Sequence, residues 1–77
     1  MNKARRKRLE TVMELIDEAK GLLECVAEDE AEALGNLPES IQMSEKGEKM
    51  DDNIYAMESC MDDLESVVDT LSEIVEV

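Results

Sequence analysis

Apolar residues of the second half of the chain repeat every seven positions. Two columns on this repeat are Ile54, Met61, Val68 and Val75, and Met57, Leu64 and Leu71. A third apolar column, Cys60, Val67 and Ile74, flanks them. Alternating spacings of three and four place such columns on one stripe of an α-helix. The pattern therefore predicts a long helix over residues 45–76, with acidic side chains on its remaining faces.

The first half of the chain follows the same period. Its heptad columns are Leu9, Val12, Ile16, Ala19, Leu23 and Val26. Four further apolar residues widen the stripe on both sides: Met13, Leu15, Leu22 and Ala27. A stripe of this breadth is typical of a helix in a bundle rather than in a two-stranded seam. The pattern predicts a first helix over residues 3–34.

Residues 35–44 interrupt the periodicity and predict a corner. Gly35 suits the left-handed position at the end of a helix. Pro38 cannot continue the first helix but fits the first turn of another. Ser44 is the natural N-cap of the second long helix. Ser40 is the alternative cap, in which case a short helical turn within the connector precedes a kink.

The two helical arms have nearly equal lengths, roughly 47 Å each at 1.5 Å per residue. Equal arms joined by a short connector predict an antiparallel helical hairpin. The fold class is therefore all-α, with a single domain over residues 1–77. It comprises the helix 3–34, the connector 35–44 and the helix 45–76.

Stripes three columns wide exceed what two facing helices cover. Small cores also need a staple or a partner, so the sequence predicts a homodimer that forms a four-helix bundle. The predicted oligomer interface is Leu15, Leu22, Met57, Cys60, Met61, Leu64, Val67, Val68, Leu71 and Ile74. The alternative is a monomer whose exposed stripe receives a different protein.

The composition argues against an enzyme and against a cofactor. The chain has no histidine, and Tyr55 is its one aromatic residue, so acid–base chemistry lacks its usual group. Cys25 and Cys60 have no CxxC motif or histidine partner for zinc, and we interpret them as reduced and structural. The aspartates at 51–52 and 62–63 lack the glycine and the spacing of a calcium loop. We therefore expect no cofactor or metal.

Charge is distributed unevenly along the chain. Five cations precede residue 9, whereas 21 acidic residues and three lysines follow it, a balance of −18. Such an acidic body repels nucleic acid and anionic lipid and favours basic protein surfaces. No apolar run reaches the length of a membrane span or of a signal peptide core. The sequence predicts a cytoplasmic protein without direct nucleic-acid or membrane binding.

The outer face of the first helix has acidic pairs spaced four residues apart: Glu10/Glu14, Glu14/Glu18 and Glu24/Glu28. This candidate face consists of Glu10, Glu14, Glu18, Glu24 and Glu28. Its spacing along the helix axis is roughly 6 Å, which is comparable with that of successive phosphates on a strand. A face of this kind suits an acidic mimic of nucleic acid, while the simpler interpretation is a solvated helix face.

The connector also carries a resemblance. Residues 37–42 (LPESIQ) and 44–50 (SEKGEKM), with the basic start and the acidic heptad tail, are similar to uncharacterised small helical proteins. These are acidic proteins encoded by phages and mobile elements of Gram-positive bacteria. The resemblance implies a phage or bacterial accessory protein, and a plausible task is to bind and modulate a host or defence protein. It brings no catalytic or binding residue.

The sequence leaves two other functions open. An acidic mimic would block a basic DNA- or RNA-binding groove. A small phage structural or assembly component would use the same apolar stripe for scaffolding.

Overall fold

A computed structural model describes residues 1–76 and consists of three helices. They are α1 (Lys3–Gly35), α2 (Glu39–Gln42) and α3 (Glu45–Glu76). α1 and α3 pack against each other in opposite directions, since Lys20 contacts Glu65 near their middles and Ala27 lies near Ile54 closer to the corner. The hairpin extends 58 Å and is 15 Å by 12 Å across. The prediction of an all-α helical hairpin is confirmed.

The start of α1 depends on a side-chain cap. Asn2 has an extended backbone, and its Oδ1 accepts the backbone N–H of Arg5 at 2.8 Å. The first turn carries no acidic residue, and its basic side chains oppose the positive end of the helix dipole. The asparagine therefore satisfies one of the donors that this end leaves without a helical partner.

The end of α1 differs from the prediction. Gly35 belongs to the helix, and no glycine among the described residues has a positive φ. The helix closes through a tight turn instead. The Asn36 N–H bonds to the carbonyls of Glu32 and Leu34, and the Leu37 N–H reaches the Leu34 carbonyl at 3.2 Å. This turn satisfies the terminal carbonyls without a left-handed residue.

The connector contains the short helical turn that the sequence offered as an alternative. The Pro38 carbonyl accepts the N–H groups of Ile41 at 2.9 Å and Gln42 at 3.0 Å. The Gln42 side-chain amide donates back to the Leu37 carbonyl at 2.7 Å. The Ser44 hydroxyl donates to the Ile41 carbonyl. These bonds fix the corner between the two long helices.

Gly47 allows α3 to begin directly against α2. A Cβ atom at this position would lie 1.9 Å from the Gln42 carbonyl oxygen, which is far inside van der Waals contact. Gly47 is buried, and α2 packs on this first part of α3. The glycine is therefore required by the close approach of two backbones.

The core is a single seam between α1 and α3. From α3 it receives the half-buried side chains of both predicted columns, together with Met50. From α1 it receives Leu9, Met13, Ile16, Lys20, Leu23 and Ala27. Ala27, at 6% exposure, is the most deeply buried apolar residue of the described chain. The seam is a thin core in which most side chains retain some contact with solvent.

The inner columns of α1 differ from those predicted. Met13, Lys20 and Ala27 take the positions expected for Val12, Ala19 and Val26, which are exposed. Both sets combine with Leu9, Ile16 and Leu23 at spacings of three and four, so periodicity alone does not separate them. The set found in the structure, Met13, Lys20 and Ala27, places the small Ala27 where the helices approach each other and brings Lys20 to Glu65.

Candidate functional site: two opposite faces of the hairpin

The seam divides the hairpin surface into two faces. On each helix, the positions directly before the inner residues form one column, which we call the preceding column. The positions directly after the inner residues form another, the following column. Successive residues are about 100° apart around a helix, so the two columns lie on opposite sides of the seam. In an antiparallel pair, the preceding columns of both helices share one face and the following columns share the other.

The following columns form an acidic groove that spans both helices. Glu24 and Glu28 of α1 and Glu58 and Asp62 of α3 line a groove of about 570 Å³. Four apolar side chains complete the lining: Ala27, Ala31, Ile54 and Met61. We call this side of the hairpin the acidic face.

Lys20 and Glu65 lie farther along the acidic face and join the two helices. The Lys20 Nζ donates to Glu65 Oε2. This hydrogen bond raises the pKa of Lys20, assisted by the charges of Glu65, Asp17 and Glu24, while partial desolvation opposes it. Lys20 is therefore a cation held among carboxylates, and it marks the register of the two helices.

The five glutamates predicted as a mimic face are all exposed on α1. The groove includes two of them, Glu24 and Glu28, whereas Glu10, Glu14 and Glu18 lie beyond it along the same helix. Sequence analysis did not assign Glu58 and Asp62 to this site. Each of the two residues directly follows an inner residue of α3, which was the available signal. They could be grouped with Glu24 and Glu28 only once the inner columns of α1 were known.

The preceding columns form an apolar face. Its large side chains keep 41% to 69% of their surface exposed, and they are Val12, Leu15, Leu22, Val26, Val67 and Ile74. Cys60 lies in the same column as Val67 and Ile74 and is also exposed. At the basic end, Arg5 and Arg8 line a hollow of about 320 Å³ with Met1, Leu9 and Val12.

The predicted interface residues separate into two groups in this structure. Met57, Met61, Leu64, Val68 and Leu71 lie in the seam and are half-buried against α1. Leu15, Leu22, Cys60, Val67 and Ile74 lie on the apolar face. The apolar face also includes Val12, Ala19 and Val26, which sequence analysis assigned to the inner columns.

Neither a cluster of metal ligands nor a membrane-spanning helix occurs among residues 1–76. Across residues 1–76, carboxylate and thiol side chains form no group of three that fits a metal ion. No helix in that range combines the length and the apolar character needed to cross a bilayer. Both cysteines are free thiols.

Comparison of the chain with protein-family models, with curated proteins and with solved structures finds no match. The resemblance to proteins of phages and mobile elements therefore stays a prediction.

Proposed function

We propose that this protein is a non-enzymatic helical interaction protein that acts as a homodimer and binds a basic protein surface through its acidic face. The observation that carries the proposal is the groove between α1 and α3. Four carboxylates from two helices surround an apolar floor there. Lysine and arginine side chains combine an apolar stem with a charged head, so they match both parts of this lining.

The remainder of the chain agrees with such a role. The acidic body attracts basic surfaces over distances of about a Debye length, roughly 8–10 Å at physiological salt. The two free thiols fit a reducing compartment, and we place the protein in the cytoplasm. The resemblance noted for the connector makes the partner a host or defence protein that an accessory protein modulates.

The test uses an arginine-rich helical peptide titrated into the labelled protein and followed by NMR. We expect shift changes centred on Glu24, Glu28, Glu58 and Asp62. Replacing these four residues with Gln or Asn removes four charges and should weaken binding at least tenfold. The matched control neutralises four exposed carboxylates outside the groove: Glu39, Glu48, Asp52 and Glu73. Equal weakening by both variants would mean that diffuse charge, and not the groove, binds the peptide.

A second candidate function is an acidic mimic of nucleic acid. The observation that favours it is the line of exposed glutamates from Glu10 to Glu28 on α1, which continues the acidic groove. A mimic would displace DNA or RNA from an isolated basic protein and compete with it for one site. Simultaneous binding of nucleic acid and this protein to one basic partner would exclude mimicry and leave the first proposal intact.

A further inference from the structure

The apolar face is self-complementary along α1. Ala19 lies at its centre, and Val12 and Val26 lie seven residues to either side. Leu15 and Leu22 lie four residues before and three residues after Ala19. Farther out on this face come Arg8, eleven residues before the centre, and Asp29, ten residues after it. The apolar positions therefore follow nearly the same order when α1 is read in either direction, while the two outer positions carry opposite charges.

α3 has a corresponding centre at Val67. The contact between Lys20 and Glu65 sets the register, which brings Val67 level with Ala19 to within about one residue, or 1.5 Å. Cys60 and Ile74 lie seven residues on either side of Val67. Asp63 and Thr70 lie between these layers, where α1 has Leu15 and Leu22. Both helices thus carry apolar residues at the centre and seven residues from it, at equal distances from one line across the hairpin.

We propose that a second copy of the chain covers the apolar face, reversed end for end, about a two-fold axis that lies in the interface and runs across the hairpin from the level of Ala19 to that of Val67. This arrangement rests on the dimer proposed above and specifies its geometry. Ala19 meets Ala19 of the partner, and Val67 meets Val67 of the partner. Val12 then packs level with Val26 of the partner, and Cys60 with Ile74 of the partner.

The dimensions of the face agree with a stable contact. A face of 58 Å by 15 Å covers roughly 900 Å², against about 800 Å² per partner in a typical specific interface. Two-fold symmetry also makes the contact isologous and closed, so both apolar faces are covered and no face remains for further growth.

The charges at the two ends select the reversed orientation. At the end with the chain termini, residues 1–14 and 69–76 contain five cations and five acidic residues, and all five cations lie at residues 3–8. At the corner end, residues 28–49 contain seven acidic residues and two lysines, which leave −5. Reversal places the five cations of residues 3–8 over the acidic corner end of the partner, whereas the parallel dimer brings the two −5 ends together. Arg8 in particular lies level with Asp29 of the partner.

Arg8 and Asp29 provide the decisive test, because they lie roughly 30 Å apart on the same helix and do not meet within one hairpin. We expect Arg8→Asp or Asp29→Arg alone to weaken the dimer about tenfold, because two rim pairs become repulsive. The double variant should restore the dissociation constant to within about threefold of the original. Analytical ultracentrifugation measures all four proteins. Failure of the double variant to recover would overturn the reversed arrangement.

Cross-linking gives an independent readout with little risk to folding. In a chain with Cys25→Ser and Cys60→Ser, Ala19→Cys should form a disulfide-linked dimer on mild oxidation. Val12→Cys in the same background should not, because the two copies of residue 12 lie roughly 20 Å apart. A dimer in which Ala19→Cys stays unlinked would contradict this geometry alone. A monomer at all concentrations would overturn the dimer as well.

Discussion

Lys20 and Glu65 form the ion pair that joins α1 to α3. Lys20 occupies an inner position of α1 that the seam otherwise fills with apolar side chains, and Glu65 lies on the acidic flank of α3. The pair therefore marks the register of the hairpin and lies on its acidic side.

This pair should contribute to stability up to alkaline pH. The pKa of Lys20 is raised in the folded state, relative to about 10.4 for an unfolded lysine. The contribution is therefore complete below the unfolded value and lost as pH rises through the folded one. A double-mutant cycle with Lys20→Gln and Glu65→Gln should show coupling at pH 7 to 9. The cycle cancels contributions that do not involve this pair. Coupling that does not decline as the pH rises through the folded pKa of Lys20 would contradict the assignment.

Gly47 should be indispensable to the corner. We expect Gly47→Ala to lower the free energy of unfolding by about 1–3 kcal/mol, because the new methyl group collides with the Gln42 carbonyl. Gly21→Ala is the matched control. Its Cβ meets no atom within 4 Å, so better helix propensity should stabilise the protein by about 0.5–1 kcal/mol. Denaturant unfolding measures both, and equal effects would mean that the corner is packed differently.

Salt should stabilise the fold. The chain carries −18 from residue 9 onward, and this charge repels itself most in the compact state. If salt screening removes about 1 kcal/mol of charge repulsion from the folded state, Tm should rise by roughly 4–8 °C for a domain of this size. Thermal melts by circular dichroism, at fixed pH and protein concentration, provide the measurement. A Tm that falls with added sodium chloride would count against self-repulsion.

A charge on the apolar face should separate the proposed dimer. We expect Val67→Glu to convert a mass near 17 kDa to 8.7 kDa, the mass of one chain, and to lower helicity. Tyr55→Glu is the control, since Tyr55 is 65% exposed and follows an inner residue, on the acidic side. Light scattering after gel filtration should find that control dimeric. Dissociation by both substitutions would place the interface elsewhere.

Sequence periodicity was sufficient to predict the α3 seam, because one set of residues carries both apolar columns there. It failed on α1, where Val12 and Met13 compete for the same column and both are apolar. The choice depends on packing against α3, which involves the small Ala27 and the reach of Lys20. The predicted end of α1 was wrong for a related reason. Gly35 permits a left-handed conformation, but hydrogen bonds from the N–H groups of Asn36 and Leu37 close the helix without one.

The acidic groove was harder to predict than the helices. Glu24 and Glu28 were recognised as a spaced acidic pair, yet their neighbours Glu58 and Asp62 come from another helix. Only the pairing of α1 with α3 brings the four carboxylates to one groove. Part of the apolar face was missed because the periodicity of α1 places Val12, Ala19 and Val26 in the seam, whereas Leu15 and Leu22 were predicted outside it.

The central claim is that a second copy of the chain covers the apolar face of the hairpin, while the outer side of α1 stays in water. The two native thiols test it directly. Cys25 lies on the outer side of α1, away from α3, and Cys60 lies on the apolar face, although both are exposed in the single hairpin. Maleimide labelling of the native protein, read by mass spectrometry of peptides, should find Cys25 fast and Cys60 slow. The difference should shrink on dilution below the dissociation constant of the dimer. Equal rates for both thiols up to the highest micromolar concentration would contradict the account.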